Sequence, residues 1–156
     1  MMDKIERFRE ICADGRALDE RRKLAEIHNR TWKPSTVVKL EWLCKGRPVE
    51  IEHMYGLMSQ VLPDRGSLAL LRSSPRHRFA EMLEFIDARG VTHLTLESPL
   101  SLEGEFVAGE FAWFEAPRAD APRIVRVVFW ARADDTYFLL DVNADSGVIA
   151  AVQPLQ

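Results

Sequence analysis

With 156 residues, 47% of them hydrophobic, the chain has the size and composition to bury one real core, and a second full domain is not expected. Charged residues at 29% and a net charge of -3 exclude a disordered polyelectrolyte and an overall polycation. No run reaches the ~18 apolar residues of a membrane span, and the charged stretch Met1 to Glu10 holds no signal-peptide core, so no membrane partner is expected and the expected compartment is the bacterial cytoplasm.

Charge is unevenly spread along the chain. Residues 1–90 hold 17 lysines and arginines against 14 aspartates and glutamates, a net of +3, whereas residues 91–156 hold 4 against 10, a net of -6. A basic half beside an acidic half forms a dipole that can steer a charged partner without identifying it. Cys12 and Cys44 form no Cys-x-x-Cys pair, which excludes a zinc ribbon or thioredoxin-type motif, and both are expected to be buried and reduced.

In chain order, Ile5, Phe8 and Ile11/Cys12 recur at helical spacing, and Leu18, Leu24/Ala25 and Ile27/His28 resume it beyond Asp14-Gly15. This predicts two helices, or one kinked at Gly15. Thr36 to Cys44 fits either element: Val38, Leu40, Trp42 and Cys44 alternate as in a strand, while Val37, Leu40 and Leu43/Cys44 suit a helix, and Lys45-Gly46 ends both. Pro48, the stripe Ile51, Met54/Tyr55, Met58 and Val61/Leu62, and the stop at Pro63 predict a helix. Another is expected from Ser74 as N-cap, Pro75 in the first turn, the stripe Phe79, Met82/Leu83 and Ile86, and a closing Gly90.

From Val91 the period changes to two, predicting strands over 91–97, 105–115, 123–133, 136–142 and 148–152, with connections short enough to make neighbours antiparallel. The expected fold is α+β: one domain over 1–156, with N-terminal helices (about 1–90) packed on one face of a C-terminal antiparallel β-meander of four to five strands (about 91–156).

Three signals bear on function. Arg72, Ser73, Ser74, Arg76 and Arg78, with His77, surround the expected N-terminus of a helix, where cations oppose the macrodipole; free N-H groups, hydroxyls and guanidinium forks there would suit an anion or an acidic partner, unless the arginines pair with Glu81 and Glu84. Residues 24–53 read as a helix-turn-helix-like segment, with 24–28 supporting, 34–43 recognising and 46–51 as a wing; the 12 lysines and arginines against 8 acids in residues 1–47 suit nucleic acid, although the linker 29–33 is about two residues too long. The histidines His28, His53, His77 and His93 have no metal-ligand spacing. His93 with Glu97, or Cys44 with a distant histidine, is explained as ordinary polar residues, and no phosphate-binding glycine motif occurs, so no metal, cofactor or catalytic residue is expected.

The sheet supplies the third signal. Val107, Phe111 and Trp113 are expected on one face of their strand with Phe106, Ala112 and Phe114 on the other, and Val125, Val127 and Phe129 oppose Ile124, Arg126, Val128 and Trp130. Both faces are partly apolar, so one is expected to meet the helices and the second to line a pocket, as in cystatin-like or nuclear-transport-factor-like folds, or to meet a partner. The candidate protein-binding residues are Glu105, Glu110, Phe114, Glu115, Arg126 and Trp130, beside Glu103. The function expected from this pattern is non-enzymatic protein binding, in the form of an inhibitor or immunity protein for a basic bacterial partner. A DNA-binding regulator and a small-molecule-binding or enzymatic domain are the alternatives.

Overall fold

The computed structural model describes residues 3–22, 25 and 36–155. Among these residues the architecture is almost entirely β: fourteen strands form three four-stranded antiparallel sheets and one two-stranded sheet. The first sheet contains β1 (Glu6–Cys12), β2 (Ala17–Asp19), β3 (Val37–Cys44) and β4 (Arg47–Glu52), in the order β2-β1-β3-β4. The second is a meander of β5 (Leu57–Val61), β6 (Ser67–Arg72), β7 (Met82–Asp87) and β8 (Thr92–Glu97). A hairpin of β9 (Leu100–Leu102) and β10 (Glu105–Val107) follows, and a last meander joins β11 (Gly109–Phe114), β12 (Ile124–Ala131), β13 (Thr136–Asn143) and β14 (Ile149–Leu155).

The second sheet is the shared layer, because its strands alternate between two cores. Leu68 and Leu70 of β6 pack with Ile5, Phe8, Leu40, Trp42 and Ile51 of the first sheet. Their neighbours Ala69 and Leu71, with Leu83 and Phe85 of β7, pack with Leu100 and Leu102 of the hairpin and with Phe111, Val125, Val127 and Phe129 of the last sheet. Two polar links tie the layers. The buried Trp42 indole donates to the Ala88 carbonyl at 2.6 Å. Arg123, just before β12, reaches Asp64 at 3.0 Å and Ser67 Oγ at 3.2 Å on the second sheet, and Asp145 at 2.6 Å after β13.

This corrects the α+β expectation: among the described residues no N-terminal helices pack on a sheet, and the helical positions are 20–22 and 25. The helical spacing of Ile5 and Phe8 comes from a β-bulge. Between the pairs Glu6↔Leu43 and Arg9↔Glu41, β1 spends one residue more than β3, with Arg7 at φ 53°, so two inward side chains stand three apart rather than two. The expected continuation at Leu24 and Ile27/His28 lies outside the described residues. The stripe Ile51 to Leu62 is broken at Gly56, whose φ of 114° turns the chain between β4 and β5.

The expected helix from Ser74 to Gly90 is instead a loop followed by β7. Leu83 and Phe85 face one core and Ile86 the other, so the strand is apolar on both sides and its run of large residues carries no alternation. The ambiguous segment 36–44 resolves as a strand, closed by a two-residue turn at Lys45-Gly46 with both φ positive, the twist-compatible hairpin geometry. Glu103-Gly104 makes the same turn between β9 and β10, a strand and a hairpin that alternation alone does not reveal.

Two outcomes are expected. Phe85→Ala, which opens the shared core at its centre, costs about 3–5 kcal/mol in urea unfolding. The hydrogen bond from Arg123 holds the Asp145 carboxyl below its ordinary 3.8, with partial burial opposing. The native state therefore binds fewer protons there, and the stability Asp145 contributes is present above the ordinary carboxylate range and lost as pH falls through the lowered value. Because Asp145 is largely exposed, the contribution is about 0.2–1 kcal/mol, measured as the part of the acid-induced shift in urea midpoint that disappears in Asp145→Asn.

Candidate protein-binding surface

The outer face of the last sheet, where the sequence places a contact surface, is closed by the protein's own chain. The connection between β6 and β7 crosses to the edge of β11, where Ala80 and Phe111 exchange backbone hydrogen bonds at 2.9 and 2.8 Å. Ala80 points into the shared core, and Phe79 lies over the outer face. Its ring meets Trp113, Trp130 and Tyr137 edge-on, with centroids at 6.2, 5.8 and 6.2 Å. Ala112, Val128 and Leu139 are buried beneath this cluster.

Glu110 anchors the strap. It is buried, and its Oε1 accepts the Phe79 backbone N-H at 2.7 Å, while Oε2 lies 3.2 Å from His77 Nδ1 and accepts from Arg132 at 3.2 Å. His77 Nε2 lies 2.5 Å from Glu81. A carboxylate with these three neighbours is satisfied within the fold and presents no charge to a partner. Close approach of the strands beside it demands Gly109, where a Cβ would stand 2.0 Å from the Trp130 carbonyl oxygen.

The remaining sheet candidates divide between core and surface. A bulge at Ala112 makes Trp113 pair with Val128 and Phe114 with Val127, so Phe114 turns toward the shared core rather than standing with Ala112. Glu115 accepts the Trp113 indole N-H at 3.1 Å, Arg126 donates to Asp141 at 3.4 Å, and Trp130 donates to Asp135 at 2.6 Å. Glu105 is exposed near the tip of the hairpin, and no ion pair engages it among the described residues.

The basic cluster disperses in the same way. Arg72 ends β6 and pairs with Glu84 at 2.8 Å; the Ser73 carbonyl contacts His53 Nε2 at 2.6 Å; Ser74 Oγ accepts the Arg76 N-H at 3.2 Å, closing a local turn and not a helix. Arg78 stacks on Phe79 and Trp130 at 5.2 and 5.1 Å and pairs with Asp135 at 3.4 Å. Of these five residues, only Arg76 presents a guanidinium with no ion pair among the described residues.

Lys39, expected on a recognition helix, lies on a strand among Glu41, Glu50 and Glu52. Hydrogen bonding to Glu50, then the nearby charges of Glu52 and Glu41, raises its pKa. Residues 36–53 of the helix-turn-helix-like segment form β3, β4 and the start of a turn, and most of the remainder, including the supporting helix and linker, lies outside the described residues. Among the described residues no group of three or more His, Cys, Asp or Glu could hold a metal ion, and no helix is long and apolar enough to cross a membrane. The hollows are open to solvent. The one bordered by Tyr55, Met58, Trp113 and Phe114 encloses about 480 Å³.

Two exposed apolar features escaped the sequence reading. Met54, Tyr55 and Met58, expected on a buried helical stripe, stand exposed around the Gly56 turn, and Phe106 is 81% exposed on β10. The Glu103-Gly104 pair between Leu102 and Glu105 is the signal that would have marked the hairpin carrying Phe106.

Removing the carboxylate of Glu110 leaves the Phe79 N-H and the Arg132 guanidinium without their acceptor and His77 without its neighbour. Glu110→Ala is expected to lose about 2–3 kcal/mol and to shift tryptophan emission as Phe79 leaves Trp113 and Trp130, read by urea titration followed in fluorescence.

No protein-family model matches the sequence, and no curated protein matches it. Among solved structures, a chain in one described as "Structure of Tne2 in complex with Tni2" is similar to this protein, with a TM-score of 0.87 and 26% sequence identity over 97% of this chain and 99% of that one.

Proposed function

We propose that this protein is a non-enzymatic binding module of the inhibitor or immunity type, whose target is a basic protein. The observation that carries this reading is the similarity to a chain from a two-protein complex. The fold is shared over 99% of that chain, which comes from a structure of two proteins in complex. Charge agrees with a basic target. Residues 91–156 carry a net of -6, and Glu97, Glu103 and Glu105 are exposed with no cation paired to them among the described residues. Such a field speeds encounter with a positive surface and disfavours acidic partners.

The competing readings lose their structural basis. Nucleic-acid recognition required a helix over 34–43 with Lys39 facing phosphate, and the described part of that segment is a strand whose lysine is held by three glutamates. A pocket between helices and a curved sheet required helices packed on that sheet, and among the described residues none are.

The test is affinity purification of the tagged chain from its native cells under gentle salt. The expected result is one stoichiometric protein of basic isoelectric point, whose harmful effect when expressed alone disappears on co-expression with this chain. Recovery of no stoichiometric protein, or of one whose effect is unchanged by the chain, overturns the proposal.

A further inference from the structure

The β9-β10 hairpin is a two-stranded sheet with only one face packed. Leu100, Leu102 and Val107 turn inward and join the shared core, which fixes the hairpin to the body of the protein. Cross-strand partners share a face, so Phe106, paired with Ser101, points the opposite way. At 81% exposure it is the most exposed large apolar side chain among the described residues. A phenyl ring left in water forgoes the favourable burial of its apolar surface.

Charge at the tip says what kind of surface covers it. Glu103 sits in the turn at φ 51° and Glu105 follows Gly104; both are exposed, and neither meets a cation among the described residues. Glu97, three residues before β9, is in the same condition. Glu6 and Asp134 elsewhere are likewise unpaired among the described residues, but no other place sets such acids on both sides of an exposed ring, and many acids of the sheets are compensated. Glu41, Glu84, Asp135, Asp141 and Asp145 all lie in ion pairs. Uncompensated carboxylates flanking an exposed ring match a cationic surface with an apolar recess to receive the ring.

Resting on the protein-binding reading above, we infer that the tip of the β9-β10 hairpin is the docking element: Phe106 enters a basic cleft of the partner protein as its apolar anchor, with Glu103 and Glu105 pairing to lysine or arginine at the rim. A buried aromatic ringed by polar contacts is the arrangement that concentrates binding energy in an interface.

The experiment places a photo-crosslinking benzoylphenylalanine in the full chain at Phe106 and, as separate controls on other exposed apolar sites, at Val148 and at Met58. Each variant is irradiated in native cells and the adduct mapped by mass spectrometry; the captured protein is then purified and titrated against Glu103→Lys/Glu105→Lys and Phe106→Ser. All altered side chains are solvent-exposed, so circular dichroism and an unchanged urea midpoint establish that each variant folds. The expected result is an adduct from position 106 alone, on a lysine- or arginine-bearing peptide of another protein. Each variant should then weaken affinity by about tenfold or more, and the effect of the charge reversal should shrink as salt rises. An adduct from position 58 or 148 but not 106, an adduct between two copies of this chain, or an adduct at 106 whose affinity ignores the charge reversal overturns the hairpin assignment and leaves the protein-binding reading standing. No adduct from any position overturns both.

Discussion

Everything in this molecule hangs on the central strands of the second sheet, β6 and β7, being buried on both faces. Strands of a sheet with one wet face alternate between buried and exposed residues, but strands that serve two cores are buried at nearly every step, as β6 and β7 are. The first sheet and the last sheet do not share a core; each meets the middle layer. The Trp42 hydrogen bond to Ala88 and the bridge from Arg123 to Asp64 then fix the layers in register where apolar contact, which has no direction, does not.

A second consequence concerns surface. The last sheet also has apolar residues on both faces, yet only one meets the middle layer. The protein resolves this internally by sending the β6-β7 connection across the sheet edge, so that Phe79 covers the tryptophans and Glu110 accepts the Phe79 backbone N-H, contacts His77 and is paired with Arg132. Residues that look like a recognition face in the sequence are thereby spent on folding. What remains free is smaller and differently placed: the Gly56 turn with Met54, Tyr55 and Met58, and the acidic hairpin tip with Phe106. On the protein-binding proposal, recognition falls to projecting turns on a rigid stack rather than to a sheet face, consistent with the general tendency of connections to carry function while layered strands hold them in place.

Bulges explain why so much of the first half misreads as helix. The extra residue at Arg7 spaces Ile5 and Phe8 by three, and the one at Ala112, in a segment correctly expected as strand, moves Phe114 to the side of Phe111. An inward spacing of three is the signature by which an amphipathic helix is recognised, and a strand with a bulge counterfeits it. The same holds for Leu83, Phe85 and Ile86, where burial on two sides erases the period altogether. In the second half, β12 and β13 pair through eight successive residues without a register shift, and there the alternation of Val125, Val127 and Phe129 against Arg126, Val128 and Trp130 is legible directly.

Local chemistry was within reach of the sequence alone: the turns at Gly15, Lys45-Gly46 and Gly90, the alternation of the last strands, the acidic balance of the second half, and the burial of Cys12 and Cys44, because each depends on residues near one another in the chain or on composition. Tertiary structure alone decided which apolar residues face a core, which charges are consumed and which aromatic side chains stay free. Phe79 with Trp130, Glu110 with Arg132 and Arg123 with Asp64 are 51, 22 and 59 residues apart. Such contacts are long-range products of layer stacking, and a pattern confined to neighbours has no term that reports them.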